Sequence, residues 1–196
     1  MPDQSAEKEL IARAQTDPQV FGEVFDMYYP AIFGYILRRV GNVELAEDIA
    51  SQVFLKALKK LWQFQWRSIP FSAWLYRIAS NEIAYYFRTQ HKPAVSLDIM
   101  LQDEGYEPPD HSDFQEELMQ AEEELARHKD FLMVQQRLKE LPAHYQEVIA
   151  LRFFEHKKIE DIAIILGKKP GTVKSLLSRG LEKLRATATD HHDAAL

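Results

Sequence analysis

The chain has 196 residues, 46% of them hydrophobic, with no cysteine and a formal net charge of −6. That length suits one large or two small domains with a real core. The absence of thiols excludes a disulfide framework, a zinc ribbon and cysteine catalysis, and fits a reducing compartment. With only 7 glycines and little period-two alternation, the pattern predicts an all-α chain.

Met1 to Leu10 is polar and acidic, unlike a signal peptide, and no apolar run approaches a membrane span, so the expected location is cytoplasmic with no membrane partner. An N-terminal helical domain is expected over 17–92, opening at Asp17-Pro18. Its first helix covers Val20 to Val40 and is rich in aromatics; Pro30 should break or bend it. Gly41-Asn42 is a turn. The next helix runs from Val43 to Trp62, with Leu45, Ile49, Val53, Ala57 and Leu61 at spacing four. A loop from Gln63 to Pro70 carries Phe64, Trp66 and Arg67.

The helix from Phe71 to Thr89 has two faces. Leu75, Ile78, Ala79 and Tyr86 form an apolar arc, onto which Glu82 falls without any explanation in the sequence. Trp74, Arg77, Asn81, Tyr85 and Arg88 fall on the other side within about a quarter-turn. Cations, an amide and aromatics on one face suit unpaired bases: rings stack, amides read edges and Arg holds phosphate. Trp and Tyr at such positions equally serve as ordinary core.

Residues 93–112, with Pro93, Gly105, Pro108-Pro109 and several acids, read as an acidic flexible linker. A C-terminal domain is expected over 113–189. Phe114, Leu118, Ala121 and Leu125 mark its lead-in helix, and Leu141-Pro142 a fresh start followed by a core face of Tyr145, Val148, Ile149 and Phe153. The most specific local pattern comes next. Ile159, Ile162, Ala163 and Leu166 form a short apolar helix, with Glu160 and Asp161 in the first turn, where the helix dipole favours them. Gly167 stops it and Pro170-Gly171 opens another. Val173, Leu177, Leu181 and Leu184 share one side of that second helix; Lys174, Ser175, Ser178, Arg179, Glu182 and Arg185 share the other. This is a helix-turn-helix outline whose second helix can meet phosphates and base edges, or else a helical hairpin with a solvated charged face. His191-His192 in the polar tail reads as a disordered pair rather than a metal site.

A negative total is unexpected for a partner of a polyanion, but local charge decides. Residues 21–92 hold 9 Lys+Arg against 6 Asp+Glu, and residues 141–189 hold 9 against 5. Residues 93–140 hold 4 against 13. Two mildly basic blocks therefore flank an acidic connector. The acidic stretch 98–130 is expected to lie against the basic blocks and weaken DNA binding by the free protein.

The chain resembles the extracytoplasmic-function group of bacterial sigma factors from Phe21 to Ala186. Ala46-Glu47-Asp48-Ile49 through Phe54-Leu55-Lys56-Ala57 looks like that family's polymerase-binding helix. Ala73-Trp74-Leu75-Tyr76-Arg77-Ile78-Ala79-Ser80-Asn81 is similar to its promoter-melting helix, and Val95-Ser96-Leu97-Asp98 to a phrase opening its linker. Leu141-Pro142, Ile162-Ala163 and Gly171-Thr172-Val173-Lys174-Ser175 resemble its helix-turn-helix.

The resemblance implies a sigma factor: a specificity subunit without catalysis of its own. It would bind the clamp helices of the largest subunit of core RNA polymerase through Asp48, Ser51, Gln52 and Phe54. Phe64, Trp66, Arg67, Trp74, Arg77, Asn81, Tyr85 and Arg88 would melt the minus-ten element and capture a flipped base. Lys169, Thr172, Lys174, Ser175, Ser178 and Arg179 would read the minus-thirty-five element. An anti-sigma factor is an expected further partner; no metal, cofactor or small-molecule substrate is implied. A linker of twenty extended residues reaches about 66–72 Å, enough for two turns of DNA, and tethering strengthens two weak modules.

Four positions depart from the family's habit. Ser51 and Gln52 stand where Gln and Glu are common, Leu176 where Arg is, which removes a candidate phosphate contact, and Gly180 where Ala is. On propensity alone Gly180 weakens the helix by about 0.5–1 kcal/mol. Two other classes compete. An operator-binding regulator would use the same helix-turn-helix without polymerase; the other class is a helical scaffold or an enzyme, and no phosphate loop, nucleophile elbow or His-Glu zinc motif supports an enzyme.

Overall fold

The computed structural model describes residues 4–66, 69–90, 138 and 140–193. Among these there is no strand. The chain divides into two compact units, Met1–Arg88 and Thr89–Leu196. The linker at 93–112, the lead-in helix from Asp113, the acidic stretch 98–130 and Arg67 lie outside the described residues.

The first unit holds four helices: α1 (Gln4–Thr16), α2 (Phe21–Val40), α3 (Val43–Lys60) and α4 (Phe71–Gln90). Helix α1 precedes residue 17, where the sequence reading opened the domain. Its signal is weak because three apolar residues, Leu10, Ile11 and Ala14, do all the burying in a polar segment. Between α1 and α2 a 3-10 turn (Pro18–Val20) begins at Asp17, whose side chain accepts from the Gln19 amide at 2.9 Å.

Helix α2 runs unbroken through Pro30. Both Pro30 and Asp26, four residues earlier, are exposed, so the carbonyl that Pro30 cannot bond is free to meet water. Gly41 closes α2 at φ 69°, a left-handed conformation that favours glycine, and its N–H donates to the Leu37 carbonyl at 2.7 Å. Asn42 then caps α3 by accepting from the Leu45 amide at 2.8 Å. Helix α3 stops at Lys60, and Leu61–Gln63 form a 3-10 turn.

Apolar faces of all four helices meet in one core. Ile32, Tyr35 and Ile36 of α2, Val53 and Ala57 of α3, and Phe71, Leu75 and Ala79 of α4 are sealed from solvent. The polar hydroxyl of Tyr35 is satisfied there by Ser80 at 2.9 Å. The Tyr28 hydroxyl donates to Glu7 of α1. Burial first, then the Glu7 hydrogen bond and charge, push that phenol well above the ordinary tyrosine range.

Glu82, unexplained by the sequence, accepts from Lys56 Nζ at 2.6 Å and so joins α4 to α3. Its side chain is 13% exposed, against 44% for Lys56. Lys56→Met should therefore strand a largely desolvated carboxylate and cost about 1–2 kcal/mol. Adding Glu82→Leu should restore near-parental stability, because the position belongs to an apolar arc. Urea midpoints of the single and double variants check this.

The second unit contains α5 (Ala143–Ile149), α6 (Ile159–Leu166) and α7 (Pro170–Asp193). Helix α5 passes into a π-turn over Ala150–Phe154, closed by the Glu155 amide donating to the Ala150 carbonyl at 3.1 Å. The extra residue rotates the buried face. Ala150 and Leu151 are buried, whereas Phe153, expected in the core by simple spacing, is half-buried. Helix α7 continues through His191-His192, which sequence alone placed in a disordered tail.

Candidate promoter and polymerase interfaces

Helix α6 ends at Gly167, φ 65°, where the Gly167 N–H reaches Ile164 and the Lys168 N–H reaches the Ala163 carbonyl at 2.9 Å. This left-handed cap turns the chain sharply into Pro170, the first residue of α7. Val173, Leu176, Leu177, Leu181 and Leu184 bury one side of α7. Leu176 is thus a packing residue: it faces the domain interior and was never placed to touch phosphate. Thr172, Lys174, Ser175, Ser178 and Arg179 lie on the opposite side, Lys174 and Arg179 exposed and the three hydroxyl residues half-buried. Lys169, exposed, stands in the turn just ahead. The arrangement offers two cations flanking short hydroxyl donors on a helix held by the preceding turn.

Gly180 is buried against α5. A Cβ there would lie 3.1 Å from Ile149 Cδ1 and 3.3 Å from Tyr145 Cβ. Its role is therefore close helix approach, which propensity alone does not reveal.

Helix α4 separates its residues sharply. Arg77, Asn81, Tyr85 and Arg88 are exposed along one stripe, with Tyr85 55% exposed and the Arg88 guanidinium 5.6 Å over its ring. Trp74 and Trp66 are half-buried. Phe64 is only 6% exposed and cannot offer its ring to a base. It instead forms the centre of an aromatic cluster, with ring centroids 5.1 Å from Phe71, 5.3 Å from Trp66 and 5.4 Å from Trp74. An aromatic preceding a helix is bound for the core when it can meet three other rings.

A similar correction applies on α3. Asp48, Ser51 and Gln52 are exposed, but Phe54 is 3% exposed and packs edge-on against Phe25 at 4.8 Å. It supports the surface from beneath. Sequence reasoning missed three exposed apolar residues here: Leu55 and Leu58 on the same face, and Trp62 in the turn after α3, the last 70% exposed. They lie off the spacing-four stripe of Leu45, Ile49, Val53, Ala57 and Leu61, and that displacement was the available signal. With Asp48, Ser51 and Gln52, Leu55 and Leu58 occupy about a third of the helix circumference at 100° per residue, and Trp62 follows in the 3-10 turn. Such an apolar patch with a polar margin suits a protein interface.

Among the described residues no three His, Cys, Asp or Glu side chains are grouped to hold a metal, and no helix is long and apolar enough to cross a membrane.

A helix-turn-helix unit, together with a second helical unit carrying an aromatic-cationic face and an apolar face, defines a DNA-binding protein of the transcription apparatus. Residues 24–92 match the family model described as Sigma-70 region 2, and residues 131–184 match Sigma-70, region 4. The chain is 32% identical over 175 residues to the ECF RNA polymerase sigma factor SigW of Bacillus subtilis, covering 89% of this chain and 91% of that protein. It is 29% identical over 184 residues to the ECF RNA polymerase sigma factor BldN of Streptomyces coelicolor, covering 93% of this chain and 66% of that protein. The solved structure of the sigma factor RpoE in complex with the anti-sigma factor NepR from Bartonella quintana shares the fold: TM-score 0.59 at 22% identity, over 86% of this chain and 96% of that one. The chain belongs to the ECF sigma factors, which direct promoter-specific transcription initiation by core RNA polymerase.

Proposed function

We propose that three surfaces divide the work of initiation. The α3 face of Asp48, Ser51, Gln52, Leu55 and Leu58, with Trp62 of the turn that follows, docks on the clamp helices of the polymerase's largest subunit. The α4 face of Arg77, Asn81, Tyr85 and Arg88, edged by Trp74 and Trp66, holds the opened minus-ten strand. The α7 face of Thr172, Lys174, Ser175, Ser178 and Arg179, with Lys169, reads minus-thirty-five duplex. Domains at 17–92, extended back to include α1, and at 113–189, joined by 93–112, carry these faces. The protein works in the cytoplasm and performs no catalysis of its own. An anti-sigma factor, the kind of partner that RpoE of Bartonella quintana has, is a further partner, and the exposed apolar part of α3 suits it.

The observation carrying this reading is the contrast between the two faces of the first unit. One is apolar with a polar margin, as protein interfaces are. The other sets Arg and Tyr in contact beside an amide, as single-strand platforms do. An operator-binding regulator would need neither.

Two substitutions test the assignment in purified transcription. Arg179→Ala should weaken duplex binding by about 1–3 kcal/mol if it contacts a base and leave polymerase association intact. Asn81→Ala should slow strand opening, read by permanganate reactivity of unpaired thymines, more than it weakens the closed complex. Equal loss of polymerase binding by either would reassign its face.

A further inference from the structure

We propose that Gln15, on α1, is a positioning residue for the strand-opening surface. The Gln15 side chain reaches across to the segment leaving α3, where Nε2 donates to the Leu61 carbonyl at 2.9 Å and to the Phe64 carbonyl at 2.8 Å. Two carbonyl acceptors require the NH₂ end of the amide, so the orientation follows from chemistry. These bonds fix both ends of the 3-10 turn Leu61–Gln63, which already closes on itself through the Phe64 amide and the Leu61 carbonyl at 3.0 Å.

What the turn delivers is Phe64, whose ring sets the packing of Trp66, Phe71 and Trp74. Helix α1 holds the same segment at a second point, with Lys8 Nζ 5.6 Å over the Trp66 ring. Gln15 is half-buried, so both bonds are partly shielded from competition by water. The two bonds tie α1 to carbonyls 46 and 49 residues away. Gln15 touches no DNA in this scheme; it sets where Trp66 and Trp74 stand against the exposed stripe of α4. The inference rests on the proposed role of that stripe.

The test uses the full chain with core polymerase on a promoter selected from a template library. Gln15→Met keeps the shape and removes both donors; Gln15→Glu keeps the shape and sets a carboxylate against two carbonyls. Both should slow strand opening about tenfold, equivalent to about 1.4 kcal/mol in the barrier. Both should flatten the preference among the four bases at one minus-ten position; because the same turn carries Trp62, opening and base preference are read at saturating polymerase. If Asn81→Ala impairs opening while both Gln15 variants behave as the parent, the positioning role is overturned and the α4 assignment stands. A parallel loss of melting temperature, polymerase affinity and opening, with base preference intact, would reduce Gln15 to a structural residue and overturn it too. Unchanged opening in all three variants would sink it together with the α4 assignment.

Discussion

Phe54→Ala should destabilise the first unit by about 3–5 kcal/mol, the range for removing a buried aromatic ring. Phe54 is 3% exposed, and its ring meets Phe25 at 4.8 Å and Tyr29 at 6.0 Å. The loss leaves a cavity between α2 and α3 that neighbouring rings cannot fill without leaving their own partners: Tyr29 also stacks on Phe33 at 5.5 Å. Against a typical total of about 5–15 kcal/mol, that is a large fraction of the stability. Trp62, Trp66 and Trp74 all lie in the first unit, so urea unfolding followed by tryptophan fluorescence reports on it selectively. Trp62→Ala is the informative contrast. It removes a ring that is 70% exposed, so stability should change by less than about 0.5 kcal/mol. Its effect should fall on polymerase affinity, by about 2 kcal/mol or more if it is an interface anchor. A stability loss equal to that of Phe54→Ala would mean that Trp62 is a core residue and not an interface anchor.

Gly180→Leu should disrupt the second unit by 3 kcal/mol or more, at the upper end of the roughly 1–3 kcal/mol typical of overpacking. The first added carbon already lies 3.1 Å from Ile149 Cδ1 and 3.3 Å from Tyr145 Cβ and Cδ1. Tyr145 Cβ is fixed by its own backbone and cannot retreat as a side-chain tip can. The remaining three carbons of leucine would have to force α5 and α7 apart. Hydrogen exchange of α5 to α7 should accelerate, and binding to minus-thirty-five duplex should fall with it. Gly180→Ala should be close to neutral, because a helix-propensity gain of about 0.5–1 kcal/mol opposes the same tight contacts. A clear stabilisation by alanine would show that α5 can give way and that the glycine's packing role is minor.

These two residues illustrate how a candidate site was legible in part. The exposed stripe of Arg77, Asn81, Tyr85 and Arg88 followed from 100° spacing, since charge and amide at one helical period face water unless something pairs them. The α7 face was legible for the same reason. Phe54 and Phe64 were misplaced because a motif states which residues recur, whereas burial depends on which partners arrive from other helices. Leu55, Leu58 and Trp62 were overlooked for the converse reason: an apolar residue on a helix is expected inward, and only the packed structure shows a second apolar face left over.

The amino-acid sequence by itself determined most of the helices, the turn at Gly41-Asn42, the stop at Gly167 and the helix-turn-helix, because period and turn chemistry act within a few residues. It also determined the family, through motifs spread along the chain. Tertiary structure alone decided that α1 belongs to the first unit, that Pro30 passes through an unbroken helix, that Glu82 is neutralised by Lys56, and that Gln15 reaches Leu61 and Phe64. Each of these depends on groups 26 to 49 residues apart or on which side of a helix meets water, and no local pattern encodes either.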